Sequence, residues 1–259
     1  MISRANAQRL RSGAALLAIF AAWEIGCLVF GVSDVVLPRP TQIVLALGQR
    51  FWGLWPHTLQ TLYETLLGFA LGVAAGVALG VLVGFSKTAY DVAYPLLVGF
   101  SSIPKVAVVP IFVLWFGTGF VPAVLTAVVI CLFPVVVNVA AGLATTEPEL
   151  EDVLKALGAS RLEILWNVGL PRTLPYFFAS LKVSVTLAFV GTVLSETVAA
   201  NKGIGNAMLV ASSTFDVPLV FAALLLLALL GIGLYGIFAL IERRVCGWAY
   251  RKNDFALGS

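Results

Sequence analysis

Side chains able to do covalent or acid–base chemistry are few and scattered in this chain. The one histidine, His57, has no partner ligand or base nearby in sequence, and Cys27, Cys131 and Cys246 show no paired spacing. That excludes a catalytic triad, a metal motif and a disulfide framework as sequence-level expectations. No G-x-x-x-x-G-K-[ST] phosphate loop occurs either, so the chain is not expected to hydrolyse ATP. The informative chemistry is that of contact. Between Thr145 and Pro171 a very hydrophobic chain abruptly turns polar.

That island reads as two short helices joined at Gly158. Thr146 and Glu149 have the spacing of a capping box, with Pro148 in the first turn. Leu150, Val153, Leu154 and Leu157 then recur at helical spacing as one apolar stripe on a charged helix. Gly158 follows where a left-handed C-cap suits glycine. Ser160 and Glu163 form a second capping box, and Leu162, Ile164, Leu165 and Trp166 continue to Leu170-Pro171. Such an element has something to dock against in water.

The elements that carry the island are membrane spans. Hydrophobic residues make up 60% of the 259 and charged residues 11%, too little charge for a soluble surface of this size. Six spans are expected, at about 13–32, 58–84, 92–116, 120–143, 174–197 and 217–241, in one domain covering 1–259. The third is interrupted by Pro95, Pro104 and Pro110. The first, behind Arg4, Arg9 and Arg11, is read as a retained span because its apolar run is long and no small-x-small cleavage site follows. Segment 33–56 reads as an extended link and a short helix at the outer face.

Charge distribution gives an orientation. With both termini in the cytoplasm, the inner segments hold Arg4, Arg9, Arg11, Lys87, Lys155, Arg161, Arg172, Arg243, Arg244, Arg251 and Lys252. The outer segments hold only Arg39, Arg50 and Lys202. The positive-inside rule then places the island in the cytoplasm.

Gly68, Gly72, Gly76, Gly80 and Gly84 fall every four residues in the second span. They make a face that another helix can approach closely, for packing first and for a sliding seam second. No internal repeat of the kind common in secondary transporters is detectable.

From Asp152 the island reads D-V-L-K-A-L-G-A-S-R-L-E-I-L-W-N-V-G-L-P. This resembles the EAA loop of binding-protein-dependent ABC importer permeases: E-A-A, three residues, G, nine residues, I, one residue, L-P. Gly158, Val168, Leu170 and Pro171 stand at the family spacing. Asp152 replaces the usual glutamate, and Val153 and Leu154 replace the two alanines. Ile103-Pro104-Lys105-Val106-Ala107, Pro110, Leu114-Trp115-Phe116-Gly117, Glu196, Gly203-Ile204-Gly205 and Leu37-Pro38 extend the likeness to the nitrate/sulfonate/taurine permeases.

The resemblance implies an all-α membrane protein with six transmembrane helices, a type I ABC importer permease fold and a cytoplasmic coupling-helix loop at 145–171. It implies that Glu151, Asp152, Val153, Leu154, Leu157, Gly158, Ala159, Ser160, Leu170 and Pro171 couple to a dimer of ABC ATPase subunits. It further implies a second permease copy, as a homodimer, and an extracytoplasmic solute-binding protein in a prokaryotic inner membrane. ATP and Mg would be bound by the ATPase, with no cofactor or metal on this chain and no nucleic-acid partner. The solute would be small and anionic. Nitrate, taurine, alkanesulfonates, cyanate, bicarbonate, aromatic acids and a thiamine-precursor pyrimidine all remain open.

Glu24, Glu64, Glu196, Lys105 and Lys182 fall within spans or at their ends, where charge normally faces protein or water. Lys105 and Glu196 are expected to pair near the path or to set its charge. Ser101, Ser102, Asn138, Ser184 and Thr192 are candidates for its polar lining. Structural pairing or snorkelling is the competing expectation for each. Two other functional classes compete with the importer: an ion-gradient-driven carrier, and a membrane scaffold that uses the capped helix as a partner site.

Overall fold

A computed structural model describes residues 4–144, 152–154 and 156–247, without the side chains of 4–10 and 161. The described residues form helices joined by short turns, and five helices are long and apolar enough to cross a bilayer. Their lengths follow from uninterrupted apolar runs, since backbone groups in lipid must be satisfied within the segment.

Helix α1 (Arg4–Val29) is largely exposed and leans on its neighbours through Phe20, Trp23 and Phe221. A short turn leads to α2 (Pro40–Gly84). Pro40 opens it, the Arg39 N–H donates to Gln42 Oε1 at 2.9 Å, and Thr41 N–H and hydroxyl both donate to Glu24 of α1. Glu24 is thus placed against the positive end of α2, not stranded in lipid. The sequence suggested a short outer helix separate from the second span. Instead α2 runs unbroken for 45 residues through Pro56. A proline removes one ladder bond, and buried Leu54 and Thr58 on either side anchor the helix, with the Thr58 hydroxyl donating to Leu54 C=O.

Helix α3 (Lys87–Ser101) and α4 (Val109–Phe116) are joined through a 3₁₀ turn (Lys105–Val108) and bent by 76°. The expected third span is therefore broken at Ser102–Pro104, where Pro104 cannot continue α3. The pair still crosses the bundle. It starts beside the end of α2, and Gly119 N–H just beyond it bonds Ala199 C=O at the opposite end.

Helix α5 (Phe120–Ala144) is the most buried element. After the polar island come α6 (Arg161–Ile164), a π turn (Leu165–Gly169) and α7 (Leu170–Ala199). A short helix α8 (Ile204–Ser213), unforeseen in the sequence, precedes α9 (Val217–Val245).

The glycine face of α2 receives α5. A methyl on Gly76 would lie 2.8 Å from Val135 Cβ, on Gly80 2.7 Å from Val139 Cβ, and on Gly84 2.9 Å from Leu143 Cβ. Real Cβ contacts do not come that close, so the two backbones approach as they do only because glycine is there. On the other side, Phe69 meets Phe238 at a 4.9 Å centroid distance, and Val185, Ala188 and Leu227 complete the core. These contacts also fix the ends. The end of α2, the end of α5 and the start of α7 share one end of the bundle; the start of α2, the α7–α8 turn and the start of α9 share the other.

Candidate coupling site and path

The island's local chemistry is as the residue pattern predicts where it is described. Gly158 has φ +85°, and Ala159 N–H reaches back to Leu154 C=O at 3.0 Å, the longer bond of a Schellman cap. Ser160 and Glu163 cap reciprocally: Ser160 N–H and hydroxyl donate to Glu163 Oε2 at 2.7 and 2.8 Å, and Glu163 N–H donates to Ser160 Oγ at 3.3 Å. Those donors hold the Glu163 carboxyl below its ordinary range. The first capping box, Thr146–Glu149, and Glu151 lie outside the described residues.

The second helix of the island does not stop at Leu170-Pro171. It runs through the π turn into α7, where Leu170 N–H bonds Leu165 C=O five residues back and Pro171 falls in the first turn. The wide turn accommodates the proline's missing N–H, which a regular ladder would not. Gly169 is buried against Leu143 and Leu165 side chains. The loop therefore joins a helix of 30 residues directly.

Its apolar residues face outward. Val153 is 58%, Leu157 78%, Leu162 59% and Trp166 65% exposed, while Ile164 is buried against the bundle. Asp152, Val153, Gly158 and Ser160 are exposed, Leu154, Ala159 and Leu170 half-buried and Pro171 exposed. Where it is described, the element is capped, with Ile164 buried against the bundle and a hydrophobic surface outward.

The expected path residues separate into two groups. Ser101 and Ser102 are exposed at the α3–α4 bend, where Lys105 Nζ donates to Ser101 C=O at 2.8 Å and lies 5.0 Å from the Phe133 ring centroid. Asn138, half-buried, donates to Pro134 C=O. Ser184 and Thr192 are wholly buried, and their hydroxyls donate to Cys131 and Ala188 carbonyls. The Ser184 bond joins α7 to α5, whereas that of Thr192 stays within α7. The expected Lys105–Glu196 pairing is not formed: Glu196 is buried at the far end of α7, accepting from Gly205 N–H at 2.8 Å. Burial inside the bundle, invisible to spacing alone, decides where these side chains sit.

Two charges missed as a pair do meet. Lys182 of α7 and Glu242 of α9 form an ion pair at 2.5 Å, with Glu242 nearly buried. His57, read as an interfacial polar residue, accepts Gly203 N–H on Nδ1 at 3.1 Å and so ties α2 to the α8 turn. Among the described residues no cluster of three or more His, Cys, Asp or Glu could hold a metal.

Comparison with known proteins adds an independent line. Residues 72–246 match the family model described as the binding-protein-dependent transport system inner membrane component. The riboflavin transport system permease protein RibX of Chloroflexus aurantiacus is 37% identical, over 90% of this chain and 88% of that one. The formylaminopyrimidine transport permease protein ThiX of Halalkalibacterium halodurans is 33% identical over 91% and 94%, and the taurine transport system permease protein TauC of Escherichia coli 26% over 87% and 84%. An inward-facing structure of the MetNI methionine ABC transporter has the same fold, with a TM-score of 0.67 at 19% identity, covering 76% of this chain and 98% of that one.

Proposed function

The chain belongs to the binding-protein-dependent inner-membrane permeases of ABC importers, and from that premise we propose how it moves solute and what the solute is. As such a permease it is a multi-pass membrane component without catalysis of its own, ATP hydrolysis falling to a separate subunit. The observation that carries the mechanism is the outward-facing apolar surface of 152–171, capped at Gly158 and continuous with α7. Val153, Leu157, Leu162 and Trp166 dock in a groove of each ATPase, each burial being worth about 1–2 kcal/mol. When ATP and Mg close the ATPase dimer, the capped loop moves as one body. Helix α7, about 45 Å long at 1.5 Å per residue, carries that displacement across the bundle.

A second copy of this chain completes the path, and an extracytoplasmic binding protein delivers the solute. Orientation follows from charge: the bundle end that bears the loop also bears Arg243 and Arg244 at the close of α9, which supports a cytoplasmic loop with both termini inside.

The solute is a small nitrogen heterocycle. The relatives sharing 37% and 33% identity are named for riboflavin and formylaminopyrimidine. The α3–α4 pair carries exposed aromatics, Phe100 beside the bend and Trp115 and Phe116 at the close of α4, planar surfaces on which a flat ring stacks. A second reading, a small anion, is favoured by Lys105 at the same bend and by the taurine relative.

Proteoliposomes holding the permease, its ATPase and its binding protein test these readings. ATP-dependent uptake of a labelled aminopyrimidine or flavin, in excess over taurine, is expected. Uptake driven by an ion gradient without ATP would overturn the importer mechanism, and uptake of taurine alone would leave the anion reading in its place.

A further inference from the structure

Two carboxyl groups meet where α2, α7 and the turn into α8 converge. Glu64 is 1% and Glu196 0% exposed. Their side chains lie within hydrogen-bond reach of each other. Each has one oxygen with a donor: Glu64 Oε1 accepts from Gln60 Nε2 at 2.7 Å, and Glu196 Oε2 from the Gly205 amide. The remaining oxygens, Glu64 Oε2 and Glu196 Oε1, are buried without a donor, as is the hydroxyl of adjacent Thr65.

The surroundings hold the pair in place. A Cβ on Gly203 would fall inside the Glu196 carboxyl, and one on Gly205 would lie 2.8 Å from Glu196 Cβ. Thr61, one turn before Glu64, accepts Ile204 N–H at 2.9 Å and so fixes α2 to the same turn. Among the described residues, the groups acting on the two carboxyls are each other, Gln60, Thr61 and the Gly205 amide; no lysine, arginine or histidine is one of them. His57 is engaged by Gly203, and Lys202 is exposed on the turn.

Two carboxylates can only accept hydrogen bonds, so neither can satisfy the other. Two uncompensated negative charges in an apolar interior are strongly unfavourable, and buried polar atoms are normally paired. We propose that Glu64 and Glu196 form a built-in site for one monovalent cation, a proton or Na⁺, that ties α2 to α7 and the α8 turn. A proton on either group makes an O–H that donates to the other carboxylate, a short and strong bond. Na⁺ would instead take the free oxygens as hard ligands. In both cases one positive charge enters: the proton forms one O–H bond on a carboxyl, and Na⁺ forms none.

The test uses the permease with its ATPase in lipid nanodiscs. Infrared spectra at neutral pH in choline chloride should show a buried carboxylic-acid carbonyl band that disappears in both Glu64→Gln and Glu196→Gln; that result identifies the proton. A wild-type melting temperature that rises with NaCl and not with choline chloride, and is flat in Glu64→Gln, identifies Na⁺. Glutamine keeps a hydrogen-bond donor where the proton would sit, so both variants should fold. If either does not, the wild-type band and salt response still decide. The proposal is overturned by a band retained in both variants, or by no band together with indifference to Na⁺.

Discussion

The Cys131 thiol of α5 fills the notch left by Gly72 of α2. A methyl group at residue 72 would meet that sulfur first and the Val128 carbonyl, at 3.0 Å, second. Gly72→Ala should therefore destabilise the bundle by about 1–3 kcal/mol through overpacking. Cys131→Ala in the same chain removes the sulfur and should restore most of the loss. Thermal unfolding of the wild type, both single variants and the double variant in detergent gives the coupling. Simple additivity would mean that the helices separate to admit the methyl group.

The α8 turn offers a second test. Gly203 has φ +108°, and a side chain there would collide with the Glu196 carboxyl. Gly203→Ala should cost about 1–3 kcal/mol from the backbone conformation alone, with the collision added. His57→Ala, which removes the ring nitrogen 3.1 Å from Gly203 N and 3.0 Å from Gly203 O, should cost about 1 kcal/mol. Amide exchange across 203–206 should rise in the first variant far more than in the second.

Docking is tested where the surface is exposed in the free permease. Leu157→Ala should weaken ATPase association about tenfold, the equivalent of about 1.4 kcal/mol. Its melting temperature without the ATPase should not change, because Leu157 is 78% exposed. Gly158→Ala strains the left-handed cap by about 1 kcal/mol and should lower ATPase-coupled uptake, with Gly158→Asn milder. Copurification and uptake unchanged in both would remove the loop from the mechanism.

The Lys182–Glu242 pair joins α7 to α9 with Glu242 nearly buried. Lys182→Met takes one cationic partner from nearly buried Glu242 and should cost about 3 kcal/mol. Lys182→Met with Glu242→Leu should recover most of that stability. Chemical denaturation of the purified permease would show this, and a double variant no better than the single would contradict it.

Acid should loosen the loop before the bundle. Because Ser160 depresses the Glu163 carboxyl, its capping contribution is complete above the ordinary carboxylate range and fades as pH falls through the depressed value. The protection of amides 161–164, measured by hydrogen exchange relative to the intrinsic rate at each pH, should fall on acidification in the wild type and show no such pH response in Glu163→Gln.

Local chemistry was legible in the chain from the start. The Gly158 cap, the Ser160–Glu163 box, the apolar spans and the four-residue glycine spacing each depend on residues close in sequence, and each was found as the pattern implies. Less legible were events in which a local rule yields to its context. Pro56 should end a helix yet lies inside α2, because buried neighbours hold both flanks. Leu170-Pro171 looks like a terminus yet continues into α7 through a π turn.

Residue order alone could say that a polar loop must leave the bilayer, since a charged, capped segment between apolar spans has no place in lipid. It could not say which membrane charges find each other. Spacing suggests Lys105 and Glu196 as partners, but Lys105 donates to the end of α3 and Glu196 meets Glu64 and the α8 turn. Helical periodicity shows which face a residue occupies, whereas its partner depends on how separate helices rotate and slide as they pack. That information is carried by the close approach of α2 to α5 and appears only once the bundle is assembled.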